Sequence, residues 1–98
     1  MESKHRLIVY DIRDAKRLRK VEKIMESYAW RVQKSVFESN CSDELIEKLK
    51  YRLEEVIEVT EDFLLFFEVC ERDWQRQEKY GVGSKNENSM KDEKFIIL

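Results

Sequence analysis

The sequence has no proline and only two glycines among 98 residues, so residues that break helices and strands are scarce. The single histidine and the two cysteines, Cys41 and Cys70, lack the spacing of a structural zinc site. The longest apolar runs, LIVY and FLLFF, fall far short of the ~18 residues that a membrane span needs. No signal-peptide pattern is present, so we expect free thiols, a cytoplasmic location and no membrane partner.

Charge is abundant but unevenly distributed. Charged residues make up 41% of the chain, and the net charge is only -2. Residues 1–35 carry ten Lys and Arg against five Asp and Glu, whereas residues 36–70 carry three against ten. The basic N-terminal third is either a solvated helix face or a surface that binds phosphate groups.

Helices alternate with extended segments in the first 60 residues. A buried strand at Leu7–Ile12 precedes a helix capped by Asp14, and residues 30–39 predict one extended strand. Ser42 caps a second helix, which we expect to end near Val59–Thr60. Apolar side chains recur at helical spacing in both helices: Leu18, Val21, Met25 and Tyr28 in the first, and Leu45, Leu49, Leu53 and Val56 in the second.

The segment Asp62–Cys70 predicts a strand that is apolar on both faces. Two helices on one side of a small sheet cover only one of these faces, so we expect a second copy of the chain on the other. Residues 81–98 predict a polar linker and a C-terminal strand at about 94–98 that docks on a sheet edge, either its own or that of the partner chain. The sequence thus indicates one α+β domain over residues 1–80 and a homodimer.

Asp11 ends the first strand and is surrounded by basic residues. Its carboxylate is either a helix cap or salt-bridge partner of an arginine, or a ligand of a divalent cation. Mg²⁺ is held by one or two carboxylates plus waters and phosphate oxygens, so one aspartate per chain supplies few ligands for the metal. Two copies of Asp11 at a twofold axis make a better site. Arg17 and Arg31 then either anchor phosphate or pair with the acidic second helix.

The segments IVYDIRDAKRLRKV and RVQKSVFE resemble the small CRISPR-associated adaptation proteins of the Cas-two family. The resemblance covers roughly residues 6–80 and rests on the strand end at Tyr10 and Asp11, the basic helix start, and the run Arg31–Glu38. It implies a ferredoxin-like βαββαβ fold with an extra C-terminal strand, a symmetric homodimer, and two short strands joined by a turn near Lys34–Ser35.

The resemblance also implies two roles. Some members are similar to metal-dependent endonucleases of RNA or duplex DNA, and others serve as a hub for the CRISPR integrase subunit (Cas-one type) during spacer acquisition. By position, Tyr10 and Asp11 are then the catalytic residues, and Asp11 of both chains holds Mg²⁺, with Mn²⁺ as the alternative. The implied substrate-binding residues are Arg17, Arg19, Arg31 and Phe37.

Three functions stay open on the residues alone. They are a Mg²⁺-dependent phosphodiesterase, a catalytically inactive adaptor that grips duplex DNA by its backbone and docks the integrase, and a nucleic-acid-binding module outside CRISPR systems. The sequence lacks an aromatic motif for stacking RNA bases on a sheet, which argues against the third. Only the enzyme needs Asp11 for turnover.

Overall fold

The structure is a computed structural model that describes residues 4–81. The elements are β1 (His5–Asp11), α1 (Ala15–Met25), β2 (Trp30–Gln33), β3 (Val36–Ser39), α2 (Asp43–Glu54), β4 (Phe63–Val69) and α3 (Glu71–Gln75). The strands form one four-stranded antiparallel sheet in the order β2-β3-β1-β4. The βαββαβ order confirms the predicted ferredoxin-like α+β fold. The C-terminal strand predicted at about 94–98 lies outside the described residues.

Burial alternates along β1 because successive side chains of a strand point to opposite faces. Arg6, Ile8 and Tyr10 are buried on the face that packs against α1 and α2. Val9 and Asp11 point to the other face, which we call the open face. In the pairing of β1 with β4, Val9 stands opposite Leu65, and Asp11 stands opposite Phe63.

The core lies between the sheet and the two long helices. Ile8 and Phe37, from the two central strands, are fully buried there. The helices contribute fully or almost fully buried side chains at helical spacing, namely Val21, Met25, Ile46, Leu49 and Leu53. This set overlaps the predicted stripes, although Leu45, which was expected in the stripe of α2, is 41% exposed.

Both predicted helix caps are present. The Asp14 carboxylate accepts a hydrogen bond from the Arg17 backbone N–H, and the Ser42 hydroxyl accepts one from Leu45. The prediction that α2 ends near Val59–Thr60 was wrong, because the helix stops at Glu54. The amides of residues 56 and 57 both donate to the Leu53 carbonyl, which closes the helix in a turn.

The prediction of a single strand over residues 30–39 was also wrong. Trp30–Gln33 and Val36–Ser39 form a hairpin with a turn at residues 34 and 35, as the family resemblance implied. The turn contains no glycine or proline, the residues that most often mark turns in a sequence. Instead, its Lys34 carbonyl accepts hydrogen bonds from the side chains of Tyr10 and Arg31.

The open face is apolar near Asp11 and covered at its other end. Phe63 and Phe67 of β4 are each 52% exposed, which fits the prediction of a strand that is apolar on both sides. At the far end, the His5 ring stacks on Trp74 of α3 with ring centroids 4.4 Å apart. None of the helices within residues 4–81 is long and apolar enough to cross a membrane.

Candidate active site

Asp11 is the last residue of β1 and is exposed on the open face. Its side chain has no hydrogen bond or ion pair to any other residue in the part of the chain that the structure describes. The cap of α1 is Asp14, and Arg17 and Arg31 bind other carboxylates, so neither structural explanation for Asp11 applies. The carboxylate is therefore free to bind a ligand.

Tyr10 points away from Asp11, into the helix-covered face. Its hydroxyl oxygen lies 2.7 Å from Glu22 Oε2 and 2.8 Å from the Lys34 carbonyl oxygen. Burial raises the pKa of the Tyr10 phenol, and the neighbouring Glu22 carboxylate raises it further, so Tyr10 is protonated at neutral pH. The catalytic role predicted for Tyr10 stays a prediction, and the geometry gives its side chain no access to Asp11.

Glu22 is the residue of this cluster that the sequence analysis missed. Its carboxylate accepts from Tyr10 and lies 3.3 Å from the Arg31 guanidinium, which joins α1 to β1 and β2. The only signal in the sequence is a single acidic residue inside the strongly basic segment 15–25. The pKa of Arg31 is raised, chiefly by its hydrogen bond to Glu22.

Arg31 and Phe37, two predicted substrate-binding residues, are brought together. The Arg31 guanidinium carbon lies 5.1 Å from the centroid of the Phe37 ring, a cation–π contact. The Arg31 side chain keeps 39% of its surface exposed, so it can still reach a phosphate. Phe37 is 0% exposed within the core, and the contact with substrate predicted for it stays a prediction.

Arg17 is held by two acidic residues of the loop before β4. Its Nε donates to Asp62 Oδ2 over 2.8 Å, and its NH2 group donates to Asp62 Oδ1 and Glu61 Oε1. These hydrogen bonds hold the pKa of the Asp62 carboxyl well below its usual range. Arg17 is therefore largely neutralised, whereas the prediction assigned it to substrate phosphate.

Arg19 belongs to a row of cations on the exposed side of α1. The row consists of Lys16, Arg19, Lys20 and Lys23, and we call it the α1 cation row. The spacing of three and four residues places these side chains along one helix face. Across the described residues 4–81, none of the four forms an ion pair. Their positive charge is thus available to an anionic partner.

One protomer does not provide a complete metal site. No group of three or more His, Cys, Asp or Glu side chains is placed to hold a metal ion anywhere in residues 4–81. The free carboxylate of Asp11 has the right chemistry for Mg²⁺, which is held by one or two carboxylates together with waters and phosphate oxygens. Within residues 4–81, Asp11 therefore fits the metal as a single ligand of an incomplete site.

Comparisons with known proteins agree with this fold. A model of the family described as CRISPR associated protein Cas2 matches residues 4–77. A CRISPR-associated endoribonuclease Cas2 of Moorella thermoacetica is 37% identical over 81 residues, which cover 78% of this chain and 84% of that protein. A CRISPR-associated endonuclease Cas2 of Thermus thermophilus is 36% identical over 63 residues, which cover 64% of this chain and 70% of that protein.

Solved structures give the same result. The crystal structure of a hypothetical protein from Thermus thermophilus has a TM-score of 0.75 and 32% identity, and the match covers 83% of this chain and 94% of that one. The crystal structure of Streptococcus pyogenes Cas2 at pH 6.5 has a TM-score of 0.65 and 34% identity, with 74% of this chain and 92% of that one covered. The chain belongs to the CRISPR-associated Cas2 family.

Proposed function

We propose that this chain is a CRISPR-associated, metal-dependent endonuclease that acts as a symmetric homodimer. The relatives in Moorella thermoacetica and Thermus thermophilus, named endoribonuclease and endonuclease, support the activity. The observation that carries the proposal is the free, exposed Asp11 carboxylate at the apolar end of the open face. A carboxylate without a structural partner in that place is best explained by a ligand.

The dimer follows from the open face. Phe63 and Phe67 each leave about half of their surface exposed, and pairing two such faces removes this apolar surface from water. Because Asp11 stands opposite Phe63 in the sheet, the same pairing brings the Asp11 carboxylates of two chains near each other. The proposed exchange of residues 94–98 with the partner's sheet would add to this interface and stays a prediction.

Asp11 of both chains would hold Mg²⁺, or Mn²⁺ as the alternative. When bound, the metal activates water and offsets the charge of the phosphate. The task of Asp11 is to bind this cation, and the partly exposed Arg31 provides positive charge for the substrate backbone. Tyr10 and Glu22 fix Arg31 from the core side and so act on its position.

The substrate is RNA or duplex DNA, bound through its phosphates. The α1 cation row offers four side chains without intramolecular ion pairs among the described residues. Such contacts position a nucleic acid without reading its sequence. We also propose the CRISPR integrase subunit (Cas-one type) as a partner in spacer acquisition, and a cytoplasmic location where both partners meet nucleic acid.

The second candidate is a catalytically inactive adaptor that binds duplex DNA by its backbone and bridges integrase subunits. The α1 cation row favours it, because these lysines and Arg19 bind phosphate without any metal. The single carboxylate per chain favours it as well, since a weak metal site suits a protein in which chemistry is absent. Both candidates share the dimer and the basic surface.

The Asp11→Asn variant separates the two functions. It removes the charge that attracts Mg²⁺ and keeps the size of the side chain, so cleavage of RNA and duplex DNA should be lost while binding is kept. Glu26→Gln, which changes an exposed acid at the end of α1, is the matched control and should cleave like the wild type. The assay measures turnover with Mg²⁺ or Mn²⁺, and integration with the integrase subunit supplied.

Unchanged turnover in Asp11→Asn would refute the proposed active site. Loss of turnover together with normal integration would support an endonuclease whose adaptor role does not need Asp11. A wild-type chain that binds duplex DNA but never cleaves would leave the adaptor as the function.

A further inference from the structure

The loop before β4 contains a carboxylate that is completely enclosed and fully bonded. The Asp62 side chain has 0% exposed surface. Oδ1 accepts from the Arg13 backbone N–H over 2.9 Å and from Arg17 over 3.1 Å, and Oδ2 accepts from Arg17 Nε and the Glu58 backbone N–H, each over 2.8 Å. A buried charge with this many donors is fixed in one position.

Asp62 reaches the strand end that carries Asp11 from two directions. The residue after it, Phe63, stands opposite Asp11 in the sheet. The backbone amide that it binds belongs to Arg13, two residues after Asp11. The path of the chain as it leaves β1 is therefore held on one side by the strand pair and on the other by the Asp62 carboxylate.

We propose that Asp62 is a positioning residue for Asp11. It sets the direction of the turn between β1 and α1, and through that turn the direction in which the Asp11 carboxylate faces. This inference rests on the proposed function, in which Asp11 is the metal ligand. It also assigns a task to Arg17, which neutralises Asp62 and occupies both of its oxygens.

Asp62 would make the same hydrogen bonds if it only stabilised the loop and had no influence on Asp11. The experiment must therefore measure a property of the Asp11 side chain. Asp62→Asn keeps the shape of the side chain but turns an amide N–H₂ group toward donors that need an acceptor. Glu61→Gln is the matched control: it removes one carboxylate from the same Arg17, yet Glu61 is 58% exposed and makes no backbone contact to the turn.

The first measurement needs neither metal nor substrate. In NMR spectra of the full chain, Asp62→Asn should speed amide hydrogen exchange at Arg13 and Glu58 and shift the side-chain carboxyl signal of Asp11. Glu61→Gln should leave all three signals unchanged. The proposal is overturned if exchange at Arg13 rises in Asp62→Asn while the Asp11 carboxyl signal matches the wild type.

The second measurement uses Mg²⁺ and a nucleic-acid substrate. Asp62→Asn should lower kcat, or raise the half-saturating Mg²⁺ concentration, by about 10- to 100-fold. Substitution of residues that hold a metal ligand in place typically has an effect of this size. KM for the nucleic acid should stay within about twofold because the α1 cation row is intact. Normal kcat and normal Mg²⁺ dependence would overturn the inference. A wild type that neither binds Mg²⁺ nor cleaves refutes the proposed function, while the metal-free spectra still decide the role of Asp62.

If Asp62→Asn does not fold, Arg17→Lys replaces it. This variant keeps the positive charge and both backbone contacts of Asp62, but it loses the contact that reaches both oxygens at once. The Asp11 carboxyl signal should move away from its wild-type position. An Asp11 signal and kcat at wild-type values in Arg17→Lys would then refute the positioning role.

Discussion

Tyr10 and Asp11 are neighbours in the chain, yet their side chains leave β1 on opposite faces of the sheet. Tyr10 is 2% exposed and donates a hydrogen bond to Glu22 on the helix-covered face, whereas Asp11 is exposed on the open face. Two adjacent residues of one motif thus lie in two different environments, one in the core and the other exposed to solvent. The hydrophobic core and the candidate metal ligand are built on the same strand, so a substitution at either position reports on only one of them.

Tyr10→Phe should destabilise the fold and reduce cleavage only partly. The variant keeps the ring and removes the hydroxyl group that bonds Glu22 and the Lys34 carbonyl. Leaving these groups without their partner should cost about 1–3 kcal/mol in the free energy of unfolding. Urea denaturation measures this loss, and turnover should fall less than in Asp11→Asn. A Tyr10→Phe protein of normal stability that no longer cleaves would show that the hydroxyl group acts in the reaction.

Much of the fold was predictable because local rules decided it. Asp14 and Ser42 are short polar residues before apolar helical stripes, and both cap helices in the structure. The two-sided apolar pattern of β4 likewise indicated a face that the helices do not cover. These features depend on a few residues that are close together in the sequence, so local sequence patterns are enough to predict them.

The partners of the arginines were not predictable in the same way. Arg17 pairs with Asp62, 45 residues away in the sequence, and a pattern of nearby residues cannot reveal such a contact. The hairpin turn at residues 34 and 35 lacks glycine, and one of the two side chains that hold it, Tyr10, comes from β1. Arg17 and Arg31 look alike as cations in the sequence, but Arg31 is 39% exposed and bonded to Glu22, whereas Arg17 is 25% exposed and bonded to two carboxylates of the loop before β4.

The α1 cation row should dominate binding of nucleic acid and make it salt-dependent. Lys20→Gln combined with Lys23→Gln removes two exposed charges without disturbing an ion pair of the described chain. Binding should weaken for all sequences alike, and the slope of log affinity against log salt should fall by about one per lysine. Fluorescence anisotropy at several salt concentrations measures both quantities.

The control for the cation row is Arg72→Gln combined with Arg76→Gln. It removes the same charge from exposed residues in and just after α3 and should leave the salt slope close to that of the wild type. Equal losses in both double variants would mean that overall charge, not the position of the row, drives binding.

Polar substitution on the open face should separate the dimer. Phe67→Gln places an amide in the apolar patch that the proposal buries between two chains, so the variant should sediment as a monomer at micromolar concentration. Tyr51→Gln, at a residue of α2 that is 64% exposed, is the matched control and should stay dimeric. A wild type that is a stable, folded monomer in analytical ultracentrifugation would contradict the dimer altogether.

Acid should destabilise the protein over a pH range that depends in part on the lowered pKa of Asp62. Hydrogen bonds from Arg17 lower the pKa of Asp62 below the ordinary value of 3.8 that it regains on unfolding. Its contribution to stability is therefore complete above about pH 4 and is lost as the pH falls toward the folded-state pKa. The pKa of Asp14 is lowered too, chiefly by the Arg17 backbone N–H, so the wild type loses stability in this range for more than one reason.

The variant Asp62→Asn isolates the contribution of Asp62 to the loss of stability at acid pH. Its free energy of unfolding should be lower than that of the wild type at pH 7, and the difference should shrink between pH 4 and pH 2 because the wild type loses what the variant already lacks. Chemical denaturation at a series of pH values measures both curves, and Glu61→Gln should run nearly parallel to the wild type. A difference that stays constant down to pH 2 would show that the ionised carboxylate of Asp62 does not stabilise the fold, and that its neighbours hold the turn by packing alone.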